Sequence, residues 1–120
     1  DIVFDHMARP DVSKGLDSME FNLFQKLMEN NKFWCKTSCP ERLSREGPEQ
    51  NYSDILPFMR LLVENYSDRV LWGTDWPHPN MKSHMPDDGQ LVNILDKIAP
   101  TEELKVKLLV ENPTRLYWDH

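Results

Sequence analysis

Five side chains in the sequence are of the types that activate water and hold carboxylates: His6, Arg9, Arg42, Asp75 and His78. An aspartate beside a histidine can take a proton from water, and guanidinium groups bind carboxylates through paired hydrogen bonds. Asp75 stands in the stretch RVLWGTDWPHP, at the end of an apolar run, where desolvating a carboxylate is costly unless the charge is needed. We therefore predict His6 and Asp75 as catalytic residues, and Arg9, Arg42 and His78 as substrate-binding residues.

Each of these residues also has an ordinary structural interpretation, and the sequence leaves both open. Asp75 could cap a helix or close a turn before the proline-containing loop. His6 could be a hydrogen-bonded core histidine, and His78 could be a solvated side chain in a rigid turn. Arg9 and Arg42 could be ordinary surface and loop charges. The positions of the group, at corresponding ends of successive apolar runs, favour a shared function.

Three strand-like runs position these residues: Ile2–Met7, Phe33–Ser38 and Val70–Asp75. All three are short and dominated by apolar, aromatic or β-branched residues, as strands buried on both faces are. In parallel α/β folds, ligands bind at the carboxyl ends of the strands. If the runs stay extended to their ends, alternation along the strands places His6 and Asp75 over one pocket.

A helical pattern follows each run. Apolar spacing predicts helices at three places: Leu16–Asn30, from about Ser53 onward, and near Gly89–Ile98. A last helix starts after Pro100 and must end near Asn112, because Pro113 disfavours helix in the residue before it. This order of three βα units and a closing helix predicts an α/β fold with parallel strands. The long loop over residues 39–52 is of a length typical of lids and binding loops.

Charge and cysteine usage exclude several classes of protein. The 120-residue chain has a formal net charge of −6, which argues against nucleic acid or an anionic membrane as its partner. Its length fits one domain, and no apolar stretch approaches the ~20 residues of a membrane span. Cys35 and Cys39 have neither the redox nor the four-ligand zinc spacing, so we expect reduced thiols in a cytoplasmic protein.

Four segments of the chain together resemble one enzyme family. VLWGTDWPHP looks like the last-strand signature of the amidohydrolase superfamily, and ENPTRLYW is similar to the helix and tail that finish such barrels. FDHMARPD and WCKTSCPERLS resemble strands of one branch, the 2-pyrone-4,6-dicarboxylate lactonases, which hydrolyse a cyclic lactone dicarboxylate. These segments span nearly the whole chain, and their combination is much more specific than any one of them.

The resemblance implies a fold and a place within it. Residues 1–120 would be the carboxyl-terminal part of a (β/α)8 TIM barrel, with the three runs as its sixth, seventh and eighth strands. The amino-terminal part, with the superfamily's His-x-His pair, would then be absent, since three βα units cannot close an eight-stranded barrel. We expect such a chain to be inactive by itself and to associate, as a homo-oligomer, through its exposed sheet edges.

The resemblance also implies roles for the candidate residues. Asp75 would be the general base that takes a proton from the hydrolytic water, and His6 would bind or polarise the lactone carbonyl. Arg9 and Arg42 would hold the carboxylates of the substrate, a small anionic dicarboxylate lactone. The lactonases of this branch work without a metal, so the resemblance implies no cofactor.

Two alternatives stay open. One is a zinc-dependent hydrolase, decarboxylase or sulfomuconolactone hydrolase of the same superfamily, in which Asp75 would bind the metal as well as act as base. The other is a non-catalytic remnant that serves as an interaction or structural module. Loss of activity in a chelator would indicate the zinc enzyme, and a missing upstream His-x-His pair would favour the remnant.

Overall fold

A parallel three-stranded sheet organises the computed structural model, which describes residues 1–118. Strand β1 comprises Ile2–Phe4, β2 comprises Phe33–Lys36 and β3 comprises Val70–Leu71. The strands lie in the order β1-β2-β3, and both neighbouring pairs are parallel. The predicted α/β class with three parallel strands is confirmed, and the carboxyl ends of the strands meet at one edge of the sheet.

Each strand ends before the residue that the sequence predicts, and the predicted ends at Met7, Ser38 and Asp75 are wrong. After β1 the backbone turns left-handed, with a φ of 51° at His6 and 58° at Met7. Asp75 likewise has a φ of 64°. A residue in this conformation cannot continue a pleated strand, so alternation does not decide where the side chains of His6 and Asp75 point.

The helices that follow β1 and β2 are α1, Met19–Met28, α2, Pro40–Leu43, and α3, Leu56–Asn65. The hydroxyl of Ser18 caps α1 by accepting a hydrogen bond from the N–H of Phe21 at 3.2 Å. Helix α3 begins after the predicted Ser53, with Pro57 in its first turn, where the missing N–H needs no partner. Single 3-10 turns occur at Val12–Lys14 and Pro48–Gln50, and Asp5–Ala8 forms the left-handed turn after β1.

The third unit carries α4, Asp88–Asn93, α5, Leu95–Ile98, and α6, Glu102–Val106. The helix predicted near Gly89–Ile98 is thus present as two short helices. The chain then stays helical in wider π turns over Lys107–Glu111 and Thr114–Trp118, so the predicted end near Asn112 is wrong. Pro113 lies between these two segments and lacks an N–H, so one helical hydrogen bond is missing at that position.

The core fills the space between one face of the sheet and helices α1, α3 and α5. It includes these buried side chains: Phe21, Phe24, Met28, Cys35, Met59, Leu62, Val63, Val70 and Ile98. The buried amide of Asn112 joins the last helical segment to β3 by donating hydrogen bonds to the carbonyls of Ser67 and Val70, at 2.7 and 2.8 Å. Within residues 1–118, no helix combines the length and apolar character needed to cross a membrane.

Candidate active site

Three of the predicted site residues meet in the segments that follow the strands. His6 lies in the turn after β1, Arg42 lies in α2, and Asp75 follows β3. Arg42 Nη2 donates to Asp75 Oδ2 at 2.7 Å and lies 3.1 Å from His6 Nε2. His6 Nε2 lies 3.8 Å from Asp75 Oδ1. The exposed fractions of the three side chains are 13%, 18% and 23%, so the cluster is sheltered but open to small molecules.

Hydrogen bonding fixes the tautomer of His6. An arginine N–H can only donate, so His6 Nε2 is the acceptor and the ring hydrogen is on Nδ1. Nδ1 lies 2.7 Å from the hydroxyl oxygen of Ser38, which accepts that hydrogen. Burial, together with the charge of Arg42, lowers the pKa of His6, and the imidazole is therefore neutral at pH 7.

Asp75 is ionised in this environment. Burial raises its pKa, but hydrogen bonds from Cys39 and Arg42 and the charge of Arg42 outweigh that effect, so the pKa lies below its ordinary value. A carboxylate of this kind can accept a proton from water. The left-handed backbone of Asp75, with a φ of 64°, is uncommon for a residue with a side chain, and such conformations concentrate at functional sites.

Cys39 belongs to the same cluster, although its spacing from Cys35 did not predict a site. Its sulfur is buried and lies 3.1 Å from Arg42 Nη2 and 3.7 Å from His6 Nε2. Burial raises the pKa of Cys39, so the side chain is a neutral thiol. Its place next to Ser38, at the end of a parallel strand, is the sequence signal that could have identified it.

The donor atoms of His6, Cys39 and Asp75 lie within 4.8 Å of one another, which makes them a set to test for metal binding. Arg42 Nη2 lies within 3.1 Å of an atom of each of the three residues. A guanidinium group therefore already occupies the position between the donors, where its positive charge would repel a cation. With Arg42 in this place, the three residues do not fit a metal ion.

Arg9 lies at the rim of the cluster. It lines a small cleft of about 180 Å³ that also includes His6, Cys39 and Arg42. Its backbone N–H donates to the carbonyl of His6 at 2.9 Å, and its φ of 55° continues the left-handed turn that begins at His6. The structure thus brings the second predicted arginine close to the first, on the exposed side of the site.

A larger open cavity of about 600 Å³ adjoins the cluster, and His6 and Asp75 form part of its lining. Lys36 and Trp72 line it as well, and Lys36 Nζ is ion-paired with Asp5 Oδ1 at 2.8 Å. A ligand in this cavity would meet a carboxylate, an imidazole, an ammonium group and an indole ring. Lys36 was not among the predicted site residues, although it is the last residue of β2 and so lies at the ligand-binding end of the strand.

His78 is buried, with only 1% of its side chain exposed. His78 Nε2 lies 2.9 Å from Asp88 Oδ1, and His78 Nδ1 lies 3.3 Å from Glu41 Oε1. Glu41 is fully buried, and among the described residues neither of its carboxylate oxygens has a hydrogen bond of good geometry. Substrate binding by His78 stays a prediction; the structure places its ring between two carboxylates. Glu41 is a buried acid that the sequence did not single out.

The comparisons with known proteins agree on one family. The family described as amidohydrolase matches residues 1–118. A relative from Comamonas testosteroni, named 2-pyrone-4,6-dicarboxylate hydrolase, is 63% identical over 124 residues, which cover 98% of this chain and 41% of the relative. The 4-sulfomuconolactone hydrolase of Hydrogenophaga intermedia is 41% identical over 117 residues, which cover 96% of this chain and 38% of the relative.

A solved structure is similar over the same extent. The crystal structure of a Pseudomonas putida protein assigned as a 2-pyrone-4,6-dicarboxylic acid hydrolase matches with a TM-score of 0.80 at 32% identity. The match covers 97% of this chain and 42% of that chain. The chain therefore spans about two fifths of the length of the proteins it matches, and its three-stranded sheet corresponds to part of a larger fold.

Proposed function

The chain belongs to the amidohydrolase family, and on that premise we propose that it is part of a hydrolase that opens 2-pyrone-4,6-dicarboxylate or a related cyclic lactone dicarboxylate. The names of its relatives support lactone hydrolysis. The site supports it independently, because a carboxylate, an imidazole and two guanidinium groups lie together. The carboxylate can act as the base for water, the imidazole can contact the lactone carbonyl, and the guanidinium groups can bind two substrate carboxylates.

We place residues 1–120 as the carboxyl-terminal portion of a (β/α)8 barrel, with β1, β2 and β3 as its sixth, seventh and eighth strands. Three parallel strands are too few to close a barrel, and the chain spans 41% of the length of its Comamonas relative. In barrels of this kind the active site is built at the carboxyl ends of the strands. His6, Arg42 and Asp75 occupy that end here.

The observation that carries the proposal is the position of Arg42, which supplies the positive charge among His6, Cys39 and Asp75. In the zinc-dependent alternative Asp75 would bind a metal ion as well as act as base. We therefore propose a metal-free reaction in which Asp75 takes a proton from the attacking water. Water activation by a carboxylate requires only that the base be ionised and within reach of the water.

Arg42 gives the site a way to respond to substrate. In the free site its guanidinium is bonded to Asp75 and lowers the pKa of that carboxyl, which makes Asp75 a weaker base. A substrate carboxylate competes for the same guanidinium N–H groups. When Arg42 turns to the substrate, the pKa of Asp75 rises towards its ordinary value, and the base gains strength as the substrate arrives.

His6 changes its partner in the same step. While Arg42 is bonded to His6 Nε2, that nitrogen has no hydrogen to give. The hydroxyl of Ser38 can donate as well as accept, so it can bond to His6 Nδ1 in either tautomer. Once Arg42 leaves, the ring can carry its hydrogen on Nε2 and donate it to the lactone carbonyl. The carbonyl oxygen gains negative charge during attack, and this hydrogen bond strengthens there.

The test is hydrolysis of 2-pyrone-4,6-dicarboxylate by the intact protein that contains this sequence, followed by the loss of pyrone absorbance. The same protein is then dialysed against a strong chelator, and its metal content is measured before the second assay. We expect turnover that is unchanged by the chelator, because Arg42 supplies the positive charge among His6, Cys39 and Asp75. Turnover that disappears with the metal and returns with zinc would overturn the metal-free reaction, and no turnover at all would overturn the substrate assignment.

We propose the cytoplasm as the location and a small anionic lactone as the only ligand class, with neither nucleic acid nor membrane as a partner. The net charge of −6 supports the proposed absence of nucleic acid and anionic membranes as partners, since it disfavours polyanions. A homo-oligomer is proposed as well, because β1 and β3 are the two edge strands of the sheet as described. Light scattering of the isolated 120-residue chain tests the last point, because these strands are edges only in that chain, and a monomer would contradict it.

A further inference from the structure

A second pair of side chains joins the two segments that carry the proposed base and its arginine. Glu41 directly precedes Arg42 in α2, and His78 follows Asp75 in the turn after β3. His78 Nδ1 lies 3.3 Å from Glu41 Oε1, and the backbone N–H of His78 donates to the carbonyl of Asp75 at 2.8 Å. The Glu41–His78 contact therefore crosses from one segment to the other, behind the contact between Arg42 and Asp75.

Burying this pair of ionisable groups is costly. The exposed fractions of the two side chains are 0% for Glu41 and 1% for His78. Burial raises the pKa of Glu41, and Asp75 acts in the same direction, whereas His78 opposes both. Glu41 Oε1 and His78 Nδ1 lie within ion-pair distance but make no hydrogen bond of good geometry, so a proton placed between them would give each atom the partner it lacks. The other ring nitrogen bonds to Asp88 Oδ1 at 2.9 Å, near the surface.

The turn that holds Asp75 needs such support. Both Asp75 and His78 have left-handed backbones, with φ values of 64° and 60°. Residues with side chains keep this conformation only where the surrounding structure imposes it. A buried polar contact has defined distances and directions, so it can fix the turn more narrowly than apolar packing does.

We propose that Glu41 and His78 form a buried latch that positions Asp75 for proton transfer from water. The inference rests on the proposed role of Asp75 as the base. Neither residue of the latch needs to touch the substrate; both are positioning residues. Loss of the latch should lower kcat and leave KM almost unchanged, because substrate is held by the arginines while the base loses its alignment.

The kinetic test compares Glu41→Gln with Glu49→Gln in the intact protein. Glu49 is an exposed residue of a 3-10 turn, so the matched substitution changes charge and shape equally but leaves the latch in place. We expect Glu41→Gln to lower kcat roughly 10- to 100-fold, with KM within about threefold of wild type. We expect Glu49→Gln to have the kcat and KM of wild type.

Pairing of the two residues is tested by His78→Asn and by the double variant Glu41→Gln with His78→Asn. If the two residues act as a unit, either substitution alone removes their joint contribution to kcat. The double variant should therefore be no slower than the slower single variant, within about threefold. Losses that multiply in the double variant would show independent roles and overturn the latch, as would a Glu41→Gln enzyme with the kcat of wild type.

The imidazole N–H resonances of His78 decide the latch without any activity. A hydrogen between Glu41 and His78 Nδ1 should give a downfield proton signal that has the same position in wild type and Glu49→Gln and moves upfield in Glu41→Gln, because an amide oxygen is an uncharged and weaker acceptor. A signal that keeps its wild-type position in Glu41→Gln overturns the latch, even if the wild-type protein hydrolyses no lactone and the proposed function fails. The donor atoms of Glu41, Asp75 and His78 also lie within 4.8 Å of one another. If the wild-type protein contains one equivalent of metal and Glu41→Gln contains none, the three residues form a metal site and the latch is overturned.

Discussion

The segment of α2 and the turn after β3 face each other through two acid–base pairs that differ in exposure. Arg42 pairs with Asp75 at 2.7 Å, and their side chains are 18% and 23% exposed. Glu41 pairs with His78 at 3.3 Å, and their side chains are 0% and 1% exposed. Neighbouring residues of one short helix thus contribute an open pair and a closed pair to the same site.

The difference in exposure suits the two pairs to different roles, exchange of hydrogen-bond partners for Arg42–Asp75 and positioning of the backbone for Glu41–His78. A partly exposed guanidinium can leave its carboxylate at small cost, because water and incoming anions replace the lost bond. A buried acid cannot, since removing its partner leaves an uncompensated polar group in the interior. The open pair is therefore suited to respond to a substrate carboxylate, and the closed pair is suited to hold the backbone that carries Asp75.

The largest effect is expected from Asp75→Asn, which removes the base from the open pair and keeps its shape. General-base catalysis contributes roughly 10²- to 10⁴-fold, so we expect the rate of lactone hydrolysis in the intact protein to fall by at least about 10²-fold. Substrate binding should persist, because the arginines are unchanged. Steady-state kinetics measures the first expectation and calorimetric titration with substrate the second.

The circular dichroism spectrum and thermal midpoint of Asp75→Asn serve as the control for folding. A folded variant that turns over substrate at near wild-type rate would show that the base is another group. That outcome would remove the functional difference between the two pairs, although their difference in exposure would stand.

The next largest effect is expected from Arg42→Met, which removes the guanidinium partner of Asp75. A hydrogen bond to a charged group contributes about 1.5–3 kcal/mol, so KM for the dicarboxylate should rise roughly 10- to 100-fold. The pH profile of kcat/KM should also change, since Arg42 contributes to the low pKa of Asp75. The base is active above that pKa and is lost as the pH falls through it, so without Arg42 the acid limb should move to higher pH.

Arg42→Lys is the matched control, because it keeps a positive charge near Asp75 without the forked geometry. Its acid limb should lie closer to that of wild type than the limb of Arg42→Met. An acid limb that is the same in wild type and Arg42→Met would mean that Arg42 does not set the basicity of Asp75, and the proposed exchange of partners would be wrong.

The fold was predictable from the sequence at the level of elements and their order. Apolar runs followed by helical patterns gave three βα units, and the structure has parallel strands in that order. The ends of the elements were not predictable, because the strands end before their apolar runs do, and left-handed residues such as His6 and Asp75 lie in the segments that follow. The helical chain also continues through Pro113, where tertiary packing of Asn112 against β3 outweighs the local preference.

The members of the candidate site could be predicted where their position along the chain determines their place in the fold. They could not be predicted where contacts between distant side chains determine it. His6, Arg42 and Asp75 follow the three strands, so the rule for carboxyl ends brought them together although the alternation argument did not hold. Burial of Glu41 depends on the way in which α2 packs against the turn after β3, and a glutamate in a charged loop gives no sign of it. A sequence pattern contains no information on such contacts between distant segments.

The smallest effect is expected from Arg9→Met, which tests an open guanidinium that belongs to neither pair. Arg9 lies at the rim of the cleft, and a contact between exposed charges contributes about 0.2–1 kcal/mol, so KM should rise only about two- to fivefold with kcat unchanged. Arg45→Met is the control, because Arg45 is 67% exposed and pairs with Asp11 away from Asp75. Equal increases in KM for Arg9→Met and Arg42→Met would mean that the exposure of an arginine does not determine its contribution to substrate binding. They would also mean that pairing with Asp75 in the free site gives Arg42 no larger contribution than Arg9.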